Sequence, residues 1–197
     1  MKKRLSKQER REQLFAVALE IIRSEGADAL TLGHLAAKAG VTKPVTYGHF
    51  EHRQGLLEQL YQDLDERLIH SMNQALGQGS HTLAARANVV CGAYIDCMVS
   101  VGPVYDAIVA ALQGYPAHSD IQERIRNYFI DAYRQIFTPY LPSSVEEATT
   151  YLAAIHGAIE AVGNRVVREQ ITKERALLAL VNMIIKLLGV ESVVEPE

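Results

Sequence analysis

The stretch TLGHLAAKAGVTKPVTYGHF, Thr31 to Phe50, decides the reading of this chain. Thr31 can cap a helix over Leu32 to Ala39, and Gly40 stops it. Thr42 can cap a second, very short helix that runs to about Phe50. Pro44 falls in its first turn, where no backbone donor is missed. Leu35, Ala36, Ala39, Val41, Val45 and Phe50 supply the small and apolar residues that a tight helical corner needs. Lys43, Thr46, Tyr47 and His49 remain as polar groups on the second helix. This is helix-turn-helix grammar, in which the first helix braces and the second enters a major groove. A plain helical hairpin inside an all-α core is the competing reading. Against it, the second helix is too short to be stable alone, yet it spends its surface on donors and aromatics.

Upstream, Leu14, Val17, Ala18, Ile21 and Ile22 follow the spacing of an amphipathic helix that ends at Gly26. That helix opens with Lys2, Lys3, Arg4, Lys7, Arg10 and Arg11, which suit a phosphate backbone nearby. Charge is asymmetric along the chain. Met1 to Gly55 carries +4 and Leu56 to Glu197 carries -7, which together give the net -3. A basic head on an acidic remainder suggests that only the head meets a polyanion.

Downstream, a helix with Leu57, Leu60, Tyr61, Leu64 and Leu68 on one face fades at Gly77, Gln78, Gly79 and Ser80. The next is expected from Thr82 to Val101, stopping at Gly102-Pro103. A short one follows from Val104 to Leu112, and Ser119 can cap another that reaches Thr138-Pro139. Ser143 and Ser144 stand three residues before Glu146 and Glu147, the capping-box spacing, and start a helix to about Glu169. Thr172 caps the last helix, which ends at Gly189, and the tail from Val190 is expected to be loose. No strand signal or internal repeat appears. The 197 residues are 48% hydrophobic and lack Trp, enough for a core without disulfides or metals.

Thr31-Leu32, Leu35-Ala36, Ala39-Gly40-Val41 and Tyr47-Gly48-His49-Phe50 resemble the TetR family of bacterial regulators. Arg53 and Leu56-Leu57 match the basic residue and leucine pair that open its fourth helix. The resemblance is specific over about Leu14 to Leu60. It implies an all-α homodimer, with an N-terminal three-helix bundle carrying the helix-turn-helix and a C-terminal helical ligand-binding and dimerisation domain. The expected division is 1–53 for DNA and 54–197 for ligand and dimer. It assigns phosphate contacts to Thr31, Tyr47, His49 and Arg53. It assigns base-edge or groove contacts to Lys43, Pro44, Val45 and Thr46, with Thr42 beside them. Phe50 would be core. Pro44 departs from the small residue that many members carry. Lys43 can reach guanine O6 or N7, and the methyls of Val45 and Thr46 can meet a thymine methyl.

The last two helices are joined by few residues and should be antiparallel neighbours. Leu152, Ile155, Ile159, Val162 and Val166 on the first, with Leu177, Val181, Ile184 and Leu188 on the second, exceed what one chain can cover easily. Ala154, Ala158 and Ala161 widen that surface. Core packing explains these residues as well; the resemblance favours a two-fold dimer. Between Thr82 and Tyr140, Tyr94, Cys97, Met98, Val101, Tyr105, Tyr128, Phe129 and Tyr133 are candidates to line a small-molecule site. Ordinary core packing fits each of them individually. His156, Glu160 and Asn164 form a polar stripe that could line this pocket, bond across a dimer or face water.

Cys91 and Cys97 are about 120° apart on a helix, which is neither a metal pair nor a CxxC pair. Buried free thiols are the simpler reading, and a redox-sensing pair is the other. No phosphate loop, nucleophile elbow or HExxH zinc site is present, so no enzyme, cofactor or metal is expected. The N-terminus lacks the apolar core of a signal peptide. No uninterrupted apolar run reaches membrane-spanning length, so a cytoplasmic protein without a membrane partner is expected. Expected partners are operator DNA, a second copy of the chain and a small-molecule effector. A ligand-blind or architectural DNA-binding dimer and a helical protein-binding adaptor are the alternatives.

Overall fold

The computed structural model describes residues 5–77 and 82–189; Lys2, Lys3, Arg4, the run Gln78 to Ser80 and the tail from Val190 lie outside them. The helices are α1 (Lys7–Glu25), α2 (Leu32–Ala39), α3 (Lys43–Phe50), α4 (Arg53–Gly77), α5 (Leu83–Gln113), α6 (Ile121–Phe137), α7 (Val145–Val167) and α8 (Lys173–Leu188). Single 3₁₀ turns sit at Ala27–Ala29, Pro116–His118 and Thr138–Tyr140. There is no strand among the described residues, and the chain is all-α.

Local chemistry sets the ends. Ser6 and Glu9 make a reciprocal capping box at α1, with Ser6 Oγ accepting from the Glu9 amide at 3.1 Å and the Glu9 carboxylate from the Ser6 amide at 2.7 Å. Thr31, Ser144 and Thr172 accept from the amides of His34, Glu147 and Arg175, as their positions predicted. Thr42 occupies the cap position of α3 but makes no side-chain bond there.

The helices gather into two compact units. One holds the described residues up to Asp65 together with Gly102–Ile121. Its buried apolar residues include Leu14, Phe15, Ala18, Ile21, Leu30, Leu35, Phe50, Leu56, Leu57 and Leu60. The other holds Glu66–Val101 and the described residues from Gln122 onward. Its core joins Met72, Val90, Cys91, Ile95, Phe129, Tyr133, Phe137, Leu152, Ile155, Ile159, Leu180 and Ile184.

The expected break at Gly102-Pro103 is absent: α5 runs through it as one helix of 31 residues with Pro103 inside. Proline removes one hydrogen bond, to the carbonyl of Val99, and Val99 lies on an exposed side of the helix. Val90 and Ile95 before the proline, and Val104, Ile108 and Leu112 after it, are all buried and hold both halves helical. The continuous helix is long and apolar enough to cross a membrane by length and composition, which corrects the expectation that no segment is. The same test is passed by core helices. This one carries Arg86, Asp96 and Asp106, and one side of it lines the apolar interiors just described.

Candidate nucleic-acid interface

Helices α2 and α3 meet at a corner built from backbone chemistry. Gly40 adopts φ +65°, a left-handed conformation that suits glycine. Its amide and that of Val41 close onto the carbonyls of Ala37 and Ala36, which ends α2 and turns the chain. Gln13 of α1 donates to the Ala39 carbonyl and ties that helix to the corner. Phe50 is buried, 5.7 Å centroid to centroid from Phe15 of α1, and Arg11 lies over the other aromatic partner's ring, 4.8 Å from the Phe15 centroid. Phe50 is therefore core, as expected.

The exposed surface of the motif is made by Thr31, Thr42, Lys43, Pro44 and Tyr47, with Val45 and His49 half-buried beside them. Tyr47 is 51% exposed, an unusual setting for a large ring. Lys7, Arg10 and Arg11 of α1 are close enough to His49 for their charges to act on it. Burial first, and then those three cations, hold its imidazole below the ordinary value. A neutral His49 can donate one hydrogen bond to a phosphate without adding charge.

Two residues expected at DNA are engaged elsewhere. Thr46 is fully buried, and its hydroxyl is 3.1 Å from the Leu32 carbonyl and 2.9 Å from the Lys43 carbonyl. Its methyl cannot meet a thymine; the hydroxyl pins α3 to α2. The Arg53 guanidinium donates to the carbonyls of Leu30 (2.9 Å) and Ala27 (2.8 Å) and to the Tyr115 hydroxyl (3.1 Å). It is a strut between the start of α4, the 3₁₀ turn after α1 and the residue that precedes the 3₁₀ turn after α5, so its geometry favours holding the head rather than reaching for phosphate. Next to it, His118 meets Glu58 and Gln54. Periodicity could not reveal the pairings with Tyr115 and His118, which are some 60 residues away in sequence.

Gly48 belongs to the Tyr47-Gly48-His49-Phe50 stretch that carries the resemblance. It lies inside α3, and a Cβ added there would meet nothing within 4 Å. Gly55 is the opposite case, since a Cβ would come within 2.8 Å of the Phe50 carbonyl. Between them Glu51 takes φ +56° and ψ -56°, and the His52 amide bonds back to the Phe50 carbonyl, a γ-turn on a non-glycine residue.

The ligand candidates divide. Tyr94, Phe129, Tyr133 and His156 form one cluster of touching rings. Tyr128 stands at its edge against Phe129 and is 39% exposed. Met98 lies against Gly163, Cys97 is half-buried, and Val101 is half-buried at the end of its unit. Tyr105 belongs to the other unit and is not part of this cluster. Along the stripe on α7, His156 is buried while Glu160 and Asn164 are exposed. Cys91 is a buried thiol, and that burial pushes it up to about 12, far from the range of a redox sensor.

The dimer candidates also need correcting. Leu152, Ile155, Ile159 and Ile184 are wholly covered by their own chain, and Leu188 nearly so. They make the internal core between α7, α8 and their neighbours. Val162, Val166, Leu177 and Val181 are half-buried. The outward faces carry Ala154, Gly157, Ala161 and Leu178 instead.

Comparison with known proteins matches residues 14–60 to the family model described as bacterial regulatory proteins, tetR family. The HTH-type transcriptional activator FasR of Mycolicibacterium smegmatis is 37% identical over 73 residues, covering 37% of this chain and 33% of FasR. The HTH-type transcriptional regulator BetI of Escherichia coli is 33% identical over 94 residues, covering 46% of this chain and 48% of BetI. The chain thus spans a third to a half of the length of these relatives. A TetR-family transcriptional regulator from Rhodococcus sp. superposes with a TM-score of 0.71 at 22% identity, over 92% of this chain and 99% of that one. The sequence likeness is concentrated at the head, and the likeness of fold extends over nearly the whole chain.

Proposed function

We propose that this chain, whose residues 14–60 match the model of the tetR family of bacterial regulatory proteins, is a DNA-binding transcription regulator, a repressor released from a palindromic operator by a small molecule. The observation that carries this reading is the state of α3. An eight-residue helix is pinned from beneath by the buried Thr46 and Phe50, yet turns Lys43, Pro44 and the half-exposed Tyr47 outward. A core hairpin would bury its tyrosine. A recognition helix needs a rigid back and a polar face.

In this reading residues 1–53 hold the DNA contacts and 54–197 the effector and dimer functions. Thr31, Tyr47 and His49 position the head on phosphates, with Thr42 at the edge of the groove. Lys43, Pro44 and Val45 face base edges. Thr46 and Arg53 hold these groups in place. The dimer forms through the outward faces of α7 and α8, around Ala154, Gly157, Ala161 and Leu178, flanked by Val162, Val166, Leu177 and Val181. Two heads then meet one face of the duplex about 34–36 Å apart, one helical turn. The protein acts in the cytoplasm, where its operator is.

Selection of bound genomic fragments, followed by titration at several salt concentrations, tests the proposal. A pseudo-palindromic site and an affinity that falls steeply with salt are expected. Sequence-indifferent, salt-insensitive or absent DNA binding would favour the adaptor reading instead.

A further inference from the structure

We infer that the ring cluster of Tyr94, Phe129, Tyr133 and His156 is the effector site, and that its ligand is an uncharged ring compound carrying a hydroxyl. This rests on the regulator reading above and adds the class of compound to it. The four side chains come from α5, α6 and α7. His156 stacks on Phe129 with centroids 5.3 Å apart and planes 16° from parallel. Tyr94 stands edge-on to both, at 5.3 Å from Phe129 and 5.7 Å from His156. Tyr133 is 5.9 Å from His156. Aromatic surfaces arranged in this way extend readily to one more ring.

Two polar atoms inside this cluster lack a hydrogen-bond partner among the described residues, the Tyr133 phenol oxygen and His156 Nδ1. Tyr133 is 0% exposed and His156 is 1% exposed, so bulk water does not serve them. Buried polar groups are nearly always paired, and two orphans in one aromatic cluster call for a shared explanation. Their chemistry is complementary. Nε2 of His156 faces the Glu160 carboxylate at 3.7 Å. A proton on that nitrogen leaves a lone pair on Nδ1. Tyr133 has a proton to donate. A ligand hydroxyl accepts from Tyr133 and donates to Nδ1, and so satisfies both with one group.

Charge narrows the class further. None of the four side chains is cationic, and Arg126, the cation whose charge acts on His156, is itself exposed to solvent, so a carboxylate ligand would be buried with only a screened counter-ion. Glu160 is 48% exposed and stands outside the ring cluster, so an ammonium ligand would lose its hydration for little return. Burial, and then the exposed Arg126, lower the His156 imidazole to about 4, and burial raises the Tyr133 phenol, so both groups remain neutral near pH 7.

The test uses the full-length protein without DNA and three probes of one shape: 2-naphthol, 2-naphthoate and 2-naphthylmethylammonium. Ligand-observed NMR and calorimetry give the affinities. We expect 2-naphthol to bind at least tenfold more tightly than either ion. Tyr133→Phe should erase that advantage while leaving the melting temperature unchanged or raised, because it removes an unpaired hydroxyl. His156→Gln should weaken 2-naphthol as well. Tighter binding of either ion, binding of none of the three, or unchanged 2-naphthol affinity in Tyr133→Phe would overturn the assignment. So would a marked loss of melting temperature in Tyr133→Phe, which would mean that a buried water already serves the hydroxyl. Operator binding is measured apart from this, so its failure would remove the regulator reading, whereas failure here alone removes only the ligand class.

Discussion

Replacing Thr46 by Val removes one hydroxyl and keeps both branches of the side chain. The hydroxyl is fully buried and lies within 3.1 Å of the Leu32 and Lys43 carbonyls, with a single proton to share between them. Both carbonyls also serve the ladders of their own helices, so the loss is that of one neutral hydrogen bond. That is about 1 kcal/mol, within a range of roughly 0.5–1.5. For a chain of this length the melting temperature should fall by about 2–4 °C. Operator affinity should fall by a few-fold at most, and equally for every sequence, because a looser α3 blurs all contacts alike. Calorimetry on the free protein and selection over a randomised operator read the two effects. A variant of unchanged stability with a shifted base preference would show that Thr46 meets DNA, and would refute the assignment of its hydroxyl to the α2–α3 brace.

Tyr47→Phe should weaken binding to all operators about equally, whereas Lys43→Ala should relax preference at one base pair per half-site at a cost of ~1–3 kcal/mol; competition assays over a randomised operator separate the two. Gly48→Ala should stabilise the head by roughly 0.5–1 kcal/mol, since a Cβ there meets nothing and alanine favours the helix, and thermal melting reads the gain. Leu178→Asp should yield folded monomers in sedimentation. Ile159→Asp should unfold the chain instead, because it places a carboxylate in a fully buried position. His156 titrates at about 4 when folded against an ordinary 6.5, so the unfolded chain holds more protons between those values. Its contribution is complete above pH 6.5 and is lost as pH falls toward 4, on the order of 3 kcal/mol in all; denaturant melts of wild type and His156→Gln across that window should converge at the acid end.

The helical plan was legible because each signal was local. Thr31, Gly40, Ser144 and Thr172 mark helix ends by chemistry within four residues of themselves. Pro103 misled because its effect depends on whether both flanks are buried, which is a tertiary property. The same limit explains the site. Tyr47 and Lys43 could be placed outward from spacing, but the burial of Thr46 depends on Leu32, fourteen residues earlier. The partners of Arg53 include Tyr115, still farther off. At α7 and α8 the apolar count was right and the direction was not. Ile155, Ile159 and Ile184 go to the chain's own core, so the outward face is left to alanine, glycine and Leu178.

The corner between α3 and α4 has no room for slack. A Cβ at Gly55 would strike the Phe50 carbonyl, and Glu51 is held in a γ-turn between them. The tightest approach there is to main chain, the Phe50 carbonyl, and the His52 imidazole, which accepts from the Gly55 amide at 2.9 Å, packs against the same position. Such a joint behaves as an elbow cast in one piece. A roll of the first turn of α4 reaches the end of α3 at nearly full amplitude, where a cushion of leucines would have absorbed part of it. The stiffness of that elbow, more than the size of any movement that drives it, sets how small a displacement of α4 suffices to re-aim the exposed Tyr47.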